Sequence, residues 1–331
     1  MSHVGTKNAW NRNDFASSSK WTAAGIPPQQ GRIAIVTGTG GIGFETALEL
    51  ARAGAEVIIA GRSPQKGASA VERIRDEVSI AKVRFEQVDL ASLASVSTFT
   101  SRLRTQLLKL DVLVNNAAVM TPPKREKTVD GYELQFGTNY LSHFALTLQL
   151  LPLLSKGQRA RVVSVSSVAA RDGVINFSDL QSEQNYKPMK AYGQSKLANL
   201  MFAFELQRRS EAGRWGITSI AAHPGISRTD LLHNSPGRWS VQGIARTLLW
   251  FLFQPAPQGA LPSLFAATVI EAKAGGYYGP DKLGETRGYP TPSKIPTQAL
   301  DALVAAQLWE VSERLSGVPV PRQLSGSEKS L

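Results

Sequence analysis

Short apolar segments rich in β-branched residues alternate with segments of helical period along most of this chain. The first is Ile33 to Val36, followed by a glycine-rich turn and a helical segment from Glu45 to Ala53. Further segments that we interpret as strands lie at 56–60, 83–88, 112–114, 161–165 and 217–222. Strands that alternate with helices form crossover units, which build a parallel sheet covered on both faces. We therefore predict an α/β fold with a doubly wound parallel sheet and a ligand at the carboxyl ends of its strands.

The same pattern divides the chain into three parts. Residues 1–30 are polar and predict an N-terminal arm rather than a signal peptide. Residues 31–300 predict one domain, in which 234–300 are dense in Pro and Gly and elaborate the same core. Residues 301–331 predict a C-terminal helix and tail. Inside the domain we expect one long helix over Tyr132 to Leu154 and another over Tyr192 to Arg209.

Composition excludes several kinds of protein. Cysteine is absent, which excludes disulfides, thiolate metal sites and a Cys nucleophile, and we expect a cytoplasmic protein. Lys and Arg outnumber Asp and Glu by 37 to 26, a balance that suits nucleic acid, an anionic membrane or an anionic cofactor. Without a nucleic-acid-binding motif, we attribute the excess to solvated faces and one cofactor phosphate site. The histidines have no metal-ligand spacing, so no metal is expected.

A glycine-rich segment, Thr37 to Gly43, lies between the first strand and the following helix. Glycines at this position let the backbone approach a pyrophosphate, and the helix N-terminus adds N–H groups and partial positive charge. The alternative is a plain strand-to-helix turn, but four glycines in six positions favour a dinucleotide site in a Rossmann-type fold.

The end of the second strand distinguishes the two nicotinamide dinucleotides. A carboxylate there would bind the ribose 2′-hydroxyl of NAD. This strand is instead followed by Arg62, whose guanidinium suits a 2′-phosphate. The sequence favours NADP(H) over NAD(H), although an ordinary surface arginine would give the same pattern.

Tyr192 and Lys196 are four residues apart in a helical segment and therefore share one helix face. A free phenol titrates near ~10, and a neighbouring ammonium lowers that pKa. Such a pair can act as a general acid/base towards an oxygen atom. A tyrosine and a solvated lysine on a surface helix can have the same spacing by chance, so a catalytic role for the pair is supported only together with the other motifs.

Together, these motifs resemble those of the short-chain dehydrogenase/reductase family, and in particular its retinol dehydrogenase-like branch and bacterial relatives. The resemblance extends from about Arg32 to about Tyr289 and includes further motifs in the family's order: Val88-Asp89-Leu90, Asn115-Asn116-Ala117-Ala118, Phe136-Gly137-Thr138-Asn139, Val165-Ser166-Ser167 and Pro224-Gly225 with Thr229. The catalytic residues that it implies are Asn139, Ser167, Tyr192 and Lys196. The cofactor-binding residues that it implies are Gly38, Gly40, Gly41, Ile42, Gly43, Arg62, Asp89, Leu90, Asn116, Ala117, Tyr192, Lys196, Pro224, Gly225 and Thr229.

The resemblance also implies a role for each catalytic residue. Ser167 would bind the substrate oxygen, although Ser166 competes for this role. Tyr192 would transfer the proton, Lys196 would keep the phenol acidic and bind the nicotinamide ribose, and Asn139 would hold a relay water.

Two segments add expectations of their own. The glycine turn is one residue shorter than the family's T-G-x-x-x-G-x-G, which leaves a G-x-G-x-x-G spacing and predicts a tighter pyrophosphate cradle. The apolar run Thr247 to Phe253 is too short for a transmembrane span of about 20 residues. A substrate pocket, a subunit interface or a lipid surface would each cover it, and we predict a substrate lid over about 231–265.

The expected function is that of an NADP(H)-dependent alcohol dehydrogenase or carbonyl reductase. It would transfer hydride between the nicotinamide and an apolar ketone, aldehyde or alcohol, in a homo-oligomer without a nucleic-acid partner. An NAD-dependent secondary-alcohol dehydrogenase and a non-catalytic dinucleotide-binding protein are the alternatives, and peripheral membrane contact stays open.

Overall fold

The computed structural model describes residues 20–227, 254–321 and 324. In this part of the chain, eight strands form one sheet in the order β3-β2-β1-β4-β5-β6-β7-β8. Their bounds are β1 Ile33–Thr37, β2 Glu56–Gly61, β3 Val83–Gln87, β4 Val112–Asn115, β5 Arg161–Val165, β6 Thr218–Ala222, β7 Tyr277–Lys282 and β8 Arg287–Pro292. Neighbouring strands pair in parallel from β3 through to β7, and β8 pairs antiparallel with β7. The predicted Rossmann-type fold is confirmed.

Seven α-helices accompany the sheet in the described residues. Their bounds are α1 Gly41–Arg52, α2 Pro64–Glu77, α3 Leu93–Gln106, α4 Ser142–Leu154, α5 Pro188–Gly213, α6 Ala256–Thr268 and α7 Ala302–Ser316. Proline begins α2 and α5, where its missing N–H costs nothing. No helix in this part of the chain combines the length and apolar character needed to cross a bilayer.

The helices form two layers because the strand side chains alternate between the faces of the sheet. Ala34 and Val36 face a core that also contains buried side chains of α1, α2 and α6. Ile35 faces the opposite core, which is filled by α3, α4, α5 and α7. Burial on both faces explains why these strands read as continuous apolar runs rather than as alternating ones.

The helix expected over Tyr132 to Leu154 differs in the structure. Its first part is a π-helical turn, Phe136–Leu141, and the regular α-helix begins at Ser142. Glu133 stays outside, and its carboxylate accepts from the backbone N–H groups of Gln135 and Phe136 at 3.0 and 2.7 Å. In a longer helix these N–H groups would donate to carbonyls of the preceding turn, whereas here they donate to the Glu133 carboxylate.

Strands β7 and β8 are a second difference, because the sequence predicts only an elaboration there. Glycines and prolines, including Pro280 and Pro290, hide the strand pattern. β7 extends the sheet through the pairs Ala221–Tyr277 and Ala222–Tyr278.

The strand order reverses at β1: β2 and β3 lie on one side of this strand, and β4 and the later strands lie on the other. The hydroxyl oxygen of Thr37, at the end of β1, accepts from the backbone N–H groups of Asn116 and Ala117 at 2.9 and 3.0 Å. These bonds join the carboxyl ends of the two strands at the switch point. In open α/β sheets this crevice is where ligands bind.

Candidate active site

A cavity of about 600 Å³ opens at this switch point. Its size lies within the range typical of small-molecule and cofactor sites. The residues that line it are Gly38, Thr39, Gly40, Gly41, Ile42, Gln65, Lys66, Ser69, Ala70, Arg73, Asn116, Ala117, Ala118, Val165, Ser166, Tyr192, Lys196 and Pro224. These described residues include three basic side chains, Lys66, Arg73 and Lys196, and no carboxylate, so the site favours an anionic ligand.

The glycine turn forms one wall of the cavity, and three of its glycines are required by backbone conformation or by close packing. Gly38 has a φ of +105° and Gly41 a φ of +52°, which other residues rarely adopt. A Cβ atom on Gly43 would lie 2.6 Å from Asn116 Nδ2 and 2.8 Å from the Gly38 carbonyl oxygen. Helix α1 therefore packs directly on the end of β1, and its first residues, Gly41 and Ile42, line the cavity.

Tyr192 and Lys196 lie near the start of α5, and both line the cavity although each is almost fully buried. The Lys196 Nζ lies 5.8 Å from the centre of the Tyr192 ring. It donates a hydrogen bond to the Val165 carbonyl at 3.1 Å. The ammonium and the phenol thus share one small, weakly solvated space.

Burial shifts both pKa values away from their ordinary ranges. Desolvation raises the pKa of Tyr192 to about 12, although a hydrogen bond with Ser167 opposes the shift. Desolvation lowers the pKa of Lys196 to about 7. The structure thus differs from the expectation that the phenol is acidified, because in the protein alone desolvation outweighs the hydrogen bond with Ser167.

Ser167 and Ser166 have different partners. Ser167 hydrogen-bonds Tyr192, and its oxygen also accepts from the Ala169 N–H at 3.2 Å, which caps the short 3-10 helix Val168–Asp172. Ser166 Oγ instead donates to the main-chain carbonyl of Lys196 at 2.7 Å. Ser166 lines the cavity but is committed to holding α5, so Ser167 remains the better partner for the phenol.

Asn139 lies in the π-helical turn and is fully buried. Its side chain accepts from the Val119 N–H at 2.7 Å and donates to the Val119 carbonyl at 2.9 Å and to Ser195 Oγ at 3.0 Å. Its main-chain carbonyl lies 2.9 Å from Nδ1 of His143, whose Nε2 is 2.9 Å from the Thr37 hydroxyl. Asn139 therefore joins the segment after β4 to the helix that carries Tyr192.

The remaining predicted cofactor residues fall into three groups. Gly38, Gly40, Gly41, Ile42, Asn116, Ala117 and Pro224 line the cavity. Gly43, Arg62, Asp89, Leu90 and Gly225 do not. Leu90 is packed in a core, Asp89 accepts from the Ala91 N–H at 2.9 Å, and Arg62 is exposed after β2. Thr229 and the run Thr247 to Phe253, with most of the predicted lid, lie outside the described residues.

Sequence reasoning missed one wall of the cavity. It is formed by residues on one side of α2: Gln65, Lys66, Ser69, Ala70 and Arg73. The cavity is also lined by four residues that lie within the predicted motifs: Thr39, Ala118, Val165 and Ser166. The spacings of three, four and seven residues along α2 predict that the α2 residues share one face of the helix. Which face lines the cavity is known only from the way in which the helix packs in the structure.

A network of His223, Glu285 and Arg171 supports the segment after β6. The Gly225 N–H donates to His223 Nδ1 at 3.2 Å, and His223 Nε2 lies 3.3 Å from Glu285. Arg171 forms an ion pair with the same carboxylate at 2.6 Å. Although burial opposes it, the hydrogen bond from His223 and these charges lower the pKa of Glu285 to about 2. No cluster of three metal-ligating side chains occurs among the residues described.

Comparisons with known proteins agree with this geometry. The family model described as short chain dehydrogenase matches residues 32–238. Polyprenol dehydrogenase of Homo sapiens is 43% identical over 259 residues, which are 76% of this chain and 78% of the relative. Retinol dehydrogenase 12 of Mus musculus is 38% identical over 314 residues, which are 93% of this chain and 92% of the relative.

Two solved structures have the same fold. An uncharacterized protein from Mycobacterium paratuberculosis aligns with a TM-score of 0.76 and 38% identity, over 92% of this chain and all of that one. The RhlG/NADP active-site complex of Pseudomonas aeruginosa aligns with a TM-score of 0.60 and 25% identity, over 76% of this chain and 94% of that one.

Proposed function

This chain belongs to the short-chain dehydrogenase family, and we propose that it is an NADP(H)-dependent oxidoreductase acting on apolar alcohols and the corresponding aldehydes or ketones. The observation that carries the proposal is the meeting of Ser167, Tyr192 and Lys196 beside a glycine-walled cavity without carboxylates. A purely dinucleotide-binding protein would have no need for a hydrogen-bonded serine and tyrosine beside a buried lysine.

The described residues of the cavity fit a nicotinamide dinucleotide. The glycine turn and the N-terminus of α1 would hold the pyrophosphate, and Lys196 would bind ribose hydroxyl groups. Pro224, Gly225 and Thr229 would hold the nicotinamide end. When bound, the nicotinamide supplies or accepts the hydride.

We propose NADP(H) rather than NAD(H) because no acid follows β2 at the position occupied by Arg62. The similarity to a protein solved as an NADP complex adds support. An NAD-dependent secondary-alcohol dehydrogenase is the second candidate, and a comparison of the two cofactors distinguishes them.

In carbonyl reduction, Ser167 donates a hydrogen bond to the substrate oxygen and Tyr192 donates its proton to that oxygen. A pKa raised to about 12 keeps the phenol protonated at neutral pH, which suits a proton donor. The Lys196 ammonium stabilises the phenolate that remains, because the two groups are close and poorly solvated. Asn139 joins α5 to the segment after β4, and it would hold the water that returns the proton to Tyr192.

Chemistry and similarity together support the proposed substrate class. The relatives are named for polyprenol and retinol, both apolar alcohols. The apolar run Thr247 to Phe253 would suit such a substrate as part of a lid.

A panel of apolar aldehydes, ketones and the matching alcohols tests the proposal, with turnover followed through NADPH absorbance. We expect reduction of at least one long apolar aldehyde or ketone, and faster turnover with NADPH than with NADH. Tight NADPH binding without turnover of any panel member would favour the non-catalytic alternative.

A further inference from the structure

One buried imidazole contacts the main chain of the segment that leaves the end of β6. His223 directly follows this strand, and the next residue, Pro224, lines the dinucleotide cavity. The ring of His223 is fully buried, and its Nδ1 accepts a hydrogen bond from the Gly225 N–H at 3.2 Å. The position of this side chain therefore affects the position of a cavity wall.

The partners of the ring determine which of its nitrogens carries the proton. A main-chain N–H can only donate, so Nδ1 must be unprotonated to accept from Gly225, and the proton of the neutral ring lies on Nε2. Nε2 is 2.9 Å from the Ser293 hydroxyl and 3.3 Å from the Glu285 carboxylate, both of which can accept from it. These two partners hold the tautomer that the Gly225 contact requires.

Glu285 is itself fixed in position. Arg171 forms an ion pair with it at 2.6 Å, and its other carboxylate oxygen accepts from the Lys294 N–H at 3.0 Å. The pKa of this carboxyl is lowered to about 2, so the group is ionised at neutral pH. Burial lowers the pKa of His223, although Glu285 opposes this shift, so the ring is neutral at the same pH.

The main chain on both sides of Gly225 is held as well. The carbonyl of the preceding residue accepts from Gln254 Nε2 at 2.5 Å. The N–H of the following residue donates to the Thr286 carbonyl at 2.8 Å. Gly225 itself has a φ of +64°, which favours glycine, so the chain turns sharply here. His223 supplies the contact to the N–H of the turning residue.

We propose that His223 is a positioning residue, which places Pro224 and Gly225 for the nicotinamide end of the dinucleotide through its Nδ1 acceptor. Without this acceptor, the Gly225 N–H would lose its partner in a buried position, and the segment would shift to find another. Glu285 and Ser293 act through the ring, because they keep the proton on Nε2. This assignment rests on the proposed function, because it takes a nicotinamide dinucleotide as the ligand.

The test compares two ligands that differ at the nicotinamide end. NADPH carries the nicotinamide, whereas 2′-phospho-ADP-ribose has the same phosphates and adenosine without it. Calorimetric titrations would use the wild type, His223→Asn, His223→Gln and His223→Leu. The asparagine side chain can place an oxygen near the position of Nδ1, the glutamine side chain places its amide near that of Nε2, and leucine has neither.

We expect His223→Leu and His223→Gln to bind NADPH about tenfold more weakly, as for the loss of a buried hydrogen-bond acceptor, while binding of 2′-phospho-ADP-ribose changes less than about twofold. Their kcat should fall by at least about tenfold, with the KM of the carbonyl substrate within about twofold, because a displaced nicotinamide reacts slowly. His223→Asn should recover most of both losses. Thermal unfolding would check that each variant is folded, and the two amide variants carry the comparison if His223→Leu does not fold.

Equal losses for both ligands would overturn the proposal, because His223 would then support the whole cavity rather than its nicotinamide end. Wild-type binding and turnover in His223→Gln would also overturn it, as would a loss in His223→Asn as large as that in His223→Gln. A wild type that binds neither ligand would refute the proposed function itself, and with it the role given to His223.

Discussion

Replacing Lys196 by methionine should abolish a pH-dependent gain in stability. The Lys196 side chain is almost completely buried, and its ammonium donates to one carbonyl, that of Val165. Burial lowers its pKa from 10.5 to about 7. Between these two values the unfolded chain binds more protons than the folded protein, so the free energy of unfolding rises with pH in this window.

The size of the gain follows from the shift. One proton contributes at most about 1.36 kcal/mol per pH unit, and Lys196 is partly protonated near its folded pKa. Between about pH 7 and pH 9 the wild type should therefore gain about 2 kcal/mol from this group. His143, with a pKa lowered to about 4 by burial, changes charge below the window, and Tyr192, raised to about 12, does so above it.

Urea unfolding of the cofactor-free protein at both pH values measures the gain. The wild type should become more stable than Lys196→Met by about 2 kcal/mol on going from the lower to the higher pH. The exposed Lys156→Met variant serves as the control and should follow the wild type. Parallel pH dependence of the wild type and Lys196→Met would refute the claim that burial depresses the pKa of this lysine.

Two further predictions concern the site. Ser167→Ala should lower kcat by on the order of 100-fold in steady-state assays, because a donor to the substrate oxygen is lost. Ser166→Ala should mainly lower the free energy of unfolding, by about 1 kcal/mol, because its hydrogen bond to the Lys196 carbonyl is lost. Equal kcat values for the two variants would contradict the assignment of Ser167. Inserting one glycine after Gly38 should weaken NADPH binding in a fluorescence titration, because the short turn already packs α1 on β1 through Gly43. Tighter NADPH binding would show that the turn is too short.

The fold could be predicted from sequence because burial on both sheet faces leaves continuous apolar runs such as Ile33 to Val36. The order and crossovers of such runs then determine a doubly wound sheet. β7 and β8 could not be predicted in this way, because Pro280 and Pro290 lie within them and their pairing depends on distant strands.

Some residues of the site could also be predicted from the sequence, and others could not. Tyr192 and Lys196 were recognisable because their spacing is local to one helix. The positions of Lys66 and Arg73 were not, because a helical spacing does not say which face meets the cavity. The direction of the pKa shift of Tyr192 could not be predicted either, because the burial that raises this pKa does not follow from the spacing of Tyr192 and Lys196.

The most direct test of the proposed function compares the wild type with Tyr192→Phe, which removes one hydroxyl group. NADPH affinity would be measured by titration, and reduction of the best apolar carbonyl of the panel by steady-state kinetics. We predict that NADPH binding stays within about twofold while kcat falls by at least about 100-fold, the usual contribution of a general acid. Near-normal turnover in Tyr192→Phe would contradict the assignment of Tyr192 as the proton donor.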